Sequence, residues 1–268
     1  MKRDALPTII CAHGTDGSVF ICIFSLSPAG FGGFNSCGAT HDSKEIFLFN
    51  YTLRGETGYI IISINESMLL HMQNRDWLLE IDELLYSDLA GEIYTDEIVR
   101  QIQKKTNDRD DQARIAISLV QHIPYDEDAP NCPSTVAEVM ANQKGDCDEK
   151  SALLAKLLQK LGYGTSYFCF MPERHMNVGV KCPDQYAFLG TGYAIVESTT
   201  PNIITDWDFN RFPSKPIMIP LSEGDSMGSV GEEYMDAFMW NAALEDISAG
   251  NNGSIGVALC IKEKYIGI

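Results

Sequence analysis

Basic residues are scarce in this chain: 20 Lys and Arg stand against 37 Asp and Glu, a formal net charge of −17 over 268 residues. Phosphate backbones and anionic lipid surfaces are bound by concentrated Lys and Arg, so this balance argues against a nucleic-acid or membrane-surface partner. The acidity fits solubility, or a salty surrounding, better than steering of a substrate. No stretch reaches the roughly 18 apolar residues of a membrane helix. The start, Met1-Lys-Arg-Asp-Ala-Leu-Pro7, makes a poor signal peptide, because Asp4 and Pro7 follow the basic residues at once. Of the compartments, a cytoplasmic one is favoured. The eight cysteines contain no Cys-x-x-Cys pair, which argues against a structural zinc site. No internal repeat is visible. Three Asn-x-Ser/Thr sequons begin at Asn50, Asn65 and Asn252, and without evidence of export no glycan is assigned.

With 45% hydrophobic and 21% charged residues, the composition is that of a globular protein of one large domain or two small ones. The first 66 residues read as a β-rich region. Ser18–Ser25 and Glu45–Leu53 are strand-like, and Arg54–Gly58 is a turn from which Tyr59–Ile64 returns as a hairpin. From Asn65 the period becomes helical, through Leu69, Leu70, Trp77, Leu78, Ile81, Leu84 and Leu85. Thr95 is read as the start of a helix, Asp108–Ile123 as another, and Thr135–Glu138 as a capping box. Residues 67–220 form the expected central domain, and 221–268 a C-terminal extension. That extension reads as an amphipathic helix over Glu232–Asp246 and a closing strand over Ser254–Ile266. The fold class expected is α+β.

The chemistry gathers around Gly145-Asp-Cys-Asp-Glu-Lys-Ser-Ala-Leu-Leu154. Leu153, Leu154, Leu157, Leu158 and Leu161 fall on one helical face, and Gly162 stands where a left-handed cap ends the helix. Cys147 then lies in the first turn, where the helix dipole favours a thiolate. Downstream, His175 heads the short strand His175–Val180. Glu197 ends the run Tyr193–Glu197. A sheet can bring that imidazole over the helix N-terminus and let Glu197 fix its second ring nitrogen.

These blocks, with Leu119-Val-Gln-His-Ile-Pro-Tyr-Asp126 before them, resemble the transglutaminase-like superfamily of papain-like cysteine enzymes, most closely its prokaryotic and archaeal members. The resemblance spans about residues 110 to 205. It implies Cys147 as nucleophile, His175 as general base and acid, and Glu197 as the third member, where the family more often has Asp. It implies attack on an amide or peptide bond of a peptide or protein substrate through a thioester. Hydrolysis is preferred, because no second substrate site is evident. The alternatives are a protein-crosslinking transglutaminase and a silent interaction module. The papain-like plan also implies a polar oxyanion donor, for which Gln121 is the candidate beside the Cys147 amide. No cofactor is required. The Asp-Cys-Asp order nevertheless resembles calcium-dependent bacterial relatives, which makes Asp146 and Asp148 candidate calcium ligands. Without a metal, those carboxylates oppose thiolate formation.

Overall fold

A computed structural model describes residues 8–13, 19–24, 44–65, 89–127 and 135–266. The expected helical stretch Leu69 through Leu85 lies outside the described residues. The chain divides into two units, Met1–His41 and Asp42–Ile268. In the first, β1 (Thr8–His13) pairs antiparallel with β2 (Val19–Phe24).

The second unit opens on an antiparallel hairpin of β3 (Lys44–Leu53) and β4 (Glu56–Asn65). Its two-residue turn, Arg54-Gly55, has φ of 51° and 85°, which matches the right-handed twist of the flanking strands. Alternation does the rest. Phe49, Tyr51, Ile60, Ile62 and Ile64 are buried while Ile46, Leu48, Tyr59 and Ile61 face outward. Among the described residues four helices follow: α1 (Leu89–Lys105), α2 (Arg109–Gln121), α3 (Val136–Asn142) and α4 (Cys147–Lys160). Asp108 caps α2 by accepting from the Asp111 amide, and Thr135 and Glu138 close the capping box of α3. Thr95 does not open a helix. Its hydroxyl donates to the Gly91 carbonyl at 2.6 Å, inside an α1 that begins six residues earlier.

An antiparallel sheet in the order β7-β6-β5-β8 completes the core, with β5 Thr165–Phe170, β6 His175–Lys181, β7 Tyr193–Val196 and β8 Ile217–Ser222. One face sets Val178, Val180, Ala194 and Val196 in the same cluster as the leucines of α4; the other carries an aromatic cluster of Phe168, Phe170, Phe188, Tyr193, Trp207 and Phe212. Helix α5 (Gly231–Ser248) and helix α6 (Ile255–Ile266) close the chain. The expected C-terminal strand is therefore corrected to a helix. Its residues Ala258 and Ile261 are buried three apart, and Lys264 and Tyr265 both donate to Asp236 of α5. The architecture is mixed α+β. Among the described residues no helix is long and apolar enough to cross a membrane.

Candidate active site

The thiol is placed by the start of α4. Asp146 is the N-cap: its carboxylate accepts from the Glu149 amide at 3.1 Å, and the Glu149 carboxylate accepts from the Asp146 amide at 3.1 Å. At the other end, Gly162 (φ 92°) makes the left-handed turn, and the Tyr163 amide donates back to the Leu158 carbonyl at 3.0 Å. Cys147 is the first helical residue, half-buried, with its Sγ 3.8 Å from the Arg174 carbonyl oxygen. Upstream, Gly145 bridges to Tyr125, which sets the half-exposed Tyr125 phenol beside the cysteine. Burial raises the pKa of that phenol, and the charges of Cys147, Asp146 and Asp148 raise it further.

The β5–β6 hairpin brings the imidazole to the same place. His175 pairs with Phe170 at the hairpin mouth, and its Nε2 lies 2.9 Å from Oε2 of Glu197, the residue that follows β7. Burial opposes the charged ring. Hydrogen bonds to Cys147 and Glu197, with the negative charge of both, outweigh it and lift His175 to about 9. Because Nε2 is engaged by the carboxylate, Nδ1 is the ring atom left for the sulfur. The ring lies stacked on Phe212 with centroids 4.6 Å apart, and Trp207 stacks on Phe212 in turn at 4.7 Å. Glu173, in the hairpin turn, accepts from the Ser214 amide and hydroxyl at 3.0 and 2.6 Å, tying that turn to the loop of Phe212.

Glu197 is only 6% exposed, yet its pKa is held below the usual carboxylate range. Burial raises it; the His175 hydrogen bond and charge, then Thr199, pull it down further. Its Oε1 accepts from the Thr199 amide at 2.8 Å and hydroxyl at 2.7 Å, and the buried Asn177 amide nitrogen reaches Oε2 at 3.5 Å. So the carboxylate anchors its own turn and orients the imidazole at once.

No family model, curated protein or solved structure matches this chain. The site therefore stands on its own geometry.

Of the residues singled out by sequence, Cys147, His175 and Glu197 converge. Gln121 does not join them as a free donor. Its Nε2 donates to the Glu197 carbonyl at 2.8 Å and the Asn202 carbonyl at 3.1 Å, so it ties the end of α2 to the turn behind Glu197. Asp146 and Asp148 hydrogen-bond each other; burial first, then Asp148, push Asp146 up to about 7. They supply two carboxylates, and among the described residues no group of three or more His, Cys, Asp or Glu side chains is arranged to hold a metal.

The sequence reading assigned no role to Lys150, Ser151, Asn177, Trp207 or Phe212. Lys150 carried a signal: it sits on the apolar face of α4, one turn before Leu153 and Leu154, where a solvated lysine does not belong. The aromatic pair had none, since residues 207 and 212 reach His175 through tertiary packing alone.

Proposed function

We propose that this chain is a transglutaminase-like cysteine enzyme that attacks an amide or peptide bond through Cys147, with hydrolysis as the outcome. The observation that supports it is a buried Glu197 carboxylate on His175 Nε2 at 2.9 Å, with the cysteine on the first turn of a helix near enough to help lift the pKa of the same ring. Raised to about 9, His175 carries its proton at neutral pH. Thiolate sulfur adds to the carbonyl carbon, and the carbonyl π electrons move to oxygen. The Cys147 amide, at the start of α4 and without an intrahelical partner, is the donor offered to that developing charge, while the Glu149 amide is taken by the Asp146 cap. Collapse expels the amine, which leaves with the His175 proton, and a thioester remains.

Acylation also removes the sulfur's negative charge, which is one of the causes lifting His175. The imidazole, no longer needed as a counter-ion, then takes a proton from water as the hydroxyl adds to the thioester. Collapse releases the carboxylic acid and returns the thiolate. Glu197 and the stacked Phe212 hold the ring through both steps.

A peptide-aldehyde probe tests the reading. Cys147 is expected to form the hemithioacetal at neutral pH, with His175→Ala suppressing it. A Cys147 modified no faster than the exposed Cys260, and indifferent to His175→Ala, would leave a non-catalytic interaction module.

A further inference from the structure

Lys150 stands three residues after the thiol, and its side chain is completely shielded from solvent. A buried ammonium must satisfy three donors. Here Nζ donates to the Ile123 carbonyl, to the Thr199 carbonyl at 2.8 Å and to the Gln121 carbonyl at 3.4 Å. Two of these belong to the end of α2 and its following turn; the third belongs to the turn that carries Glu197. Thr199 is the residue whose amide and hydroxyl fix Glu197 Oε1. Gln121 closes the loop, because its own amide holds the Glu197 carbonyl. The next residue, Ser151, accepts the same duty on the other side, donating to the Met176 carbonyl at 3.1 Å and meeting the Ser198 hydroxyl at 2.9 Å. Consecutive residues of one helical turn thus grip the neighbours of both His175 and Glu197.

We propose that Lys150 is a positioning residue for the Cys147–His175–Glu197 site: its buried ammonium locks the Thr199 turn against the thiol-bearing helix and supplies the positive charge beside which Glu197 stays ionised. The inference rests on the enzyme reading above and assigns that site its support. A neutral amine has only two N–H donors for these three carbonyl oxygens, so the full set of bonds belongs to the ammonium. The ammonium is a second cation near the buried Glu197, beside the His175 ring that the carboxylate bonds. Burial pushes Lys150 down to about 8, while the charge of Glu197 raises it, the same interaction seen from the lysine.

The test uses the full chain and two readouts: the rate of iodoacetamide alkylation at Cys147 by peptide mass spectrometry, and the His175 titration by NMR. Lys150→Met is expected to slow alkylation at pH 7 by about tenfold or more and to bring the His175 pKa down from about 9 toward 6.5. Ile102→Ala, a core cavity in α1 remote from the site, serves as a variant of matched thermal destabilisation and is expected to change neither. Should Lys150→Met fail to fold, Lys150→Gln keeps two donors without the charge and is read the same way. A folded neutral variant with the wild-type profile overturns the proposal, as does failure of both to fold where Ile102→Ala does. A wild-type Cys147 no more reactive than Cys260 refutes the enzyme reading instead, and is measured first.

Discussion

At the scale of single residues, the site balances opposing charges within a few ångströms of one sulfur. Glu197 holds His175 charged, so Glu197→Gln removes both the carboxylate hydrogen bond and its charge. The His175 titration is expected to fall from about 9 toward its ordinary value, with alkylation of Cys147 at pH 7 slowed about tenfold, checked by NMR and mass spectrometry. Against this, Asp146 and Asp148 face the thiol with a charge of the wrong sign. Burial and Asp148 raise Asp146 to about 7, so around neutrality the pair shares a proton and presents less negative charge. An acid whose folded pKa is raised contributes stability that is complete below its unfolded value near 4 and lost as pH rises through about 7. Asp148→Asn keeps the cap on α4 and removes the repulsion. It is expected to flatten that loss in thermal melts between pH 4 and 8, and to speed Cys147 alkylation at pH 8 several-fold. A variant that melts and reacts like the parent would show that the pair does not couple to the thiol.

The elements explain what could be read in advance and what could not. Helix α4 was legible because its leucine period, its acidic cap and its terminal glycine all name the same fourteen residues. The hairpin was legible from its two aromatic and aliphatic runs either side of the turn at Arg54–Gly58. The α6 segment, Ile-Gly-Val-Ala-Leu-Cys-Ile, is β-branched at three positions and reads as a strand in isolation. It is helical because Ala258, Ile261 and Tyr265 share a face that packs on α5, and local propensity yields to that contact. Likewise Gln121 reads as a donor by its place before the cysteine, and only the fold reveals the two carbonyls that occupy it. The C-terminal helices are attached through charge. Arg114, nearly buried, pairs with the equally buried Glu233 of α5 and with Asp111 at 2.8 Å. Glu233→Gln leaves that guanidinium short of its partner and is expected to cost about 3–5 kcal/mol in urea unfolding, whereas replacing both by apolar residues costs far less. Equal losses would mean the pair acts by packing alone.

For the molecule as a whole, the net charge of −17 acts on stability rather than on fold. Like charges spread over the surface repel in the compact state, and salt screens them beyond a Debye length of about 10 Å at 0.1 M. Raising sodium chloride from low to moderate concentration is therefore expected to raise the melting temperature, even though exposed pairs such as Arg109–Asp225 weaken. A melting temperature that falls with salt would mean the surface pairs outweigh the repulsion. At the thiol, Tyr125, Asp148 and the Arg174 carbonyl stand around Cys147 and form the surface that a substrate of the proposed reaction would meet.

The most direct measurement is the pH dependence of alkylation at Cys147 and at Cys260 in the same sample, with and without His175→Ala. Cys147 is expected to react faster than Cys260 around neutral pH and to lose that advantage when the imidazole is removed. Identical single-step profiles for the two thiols, unchanged by the substitution, would contradict an activated sulfur at the head of α4.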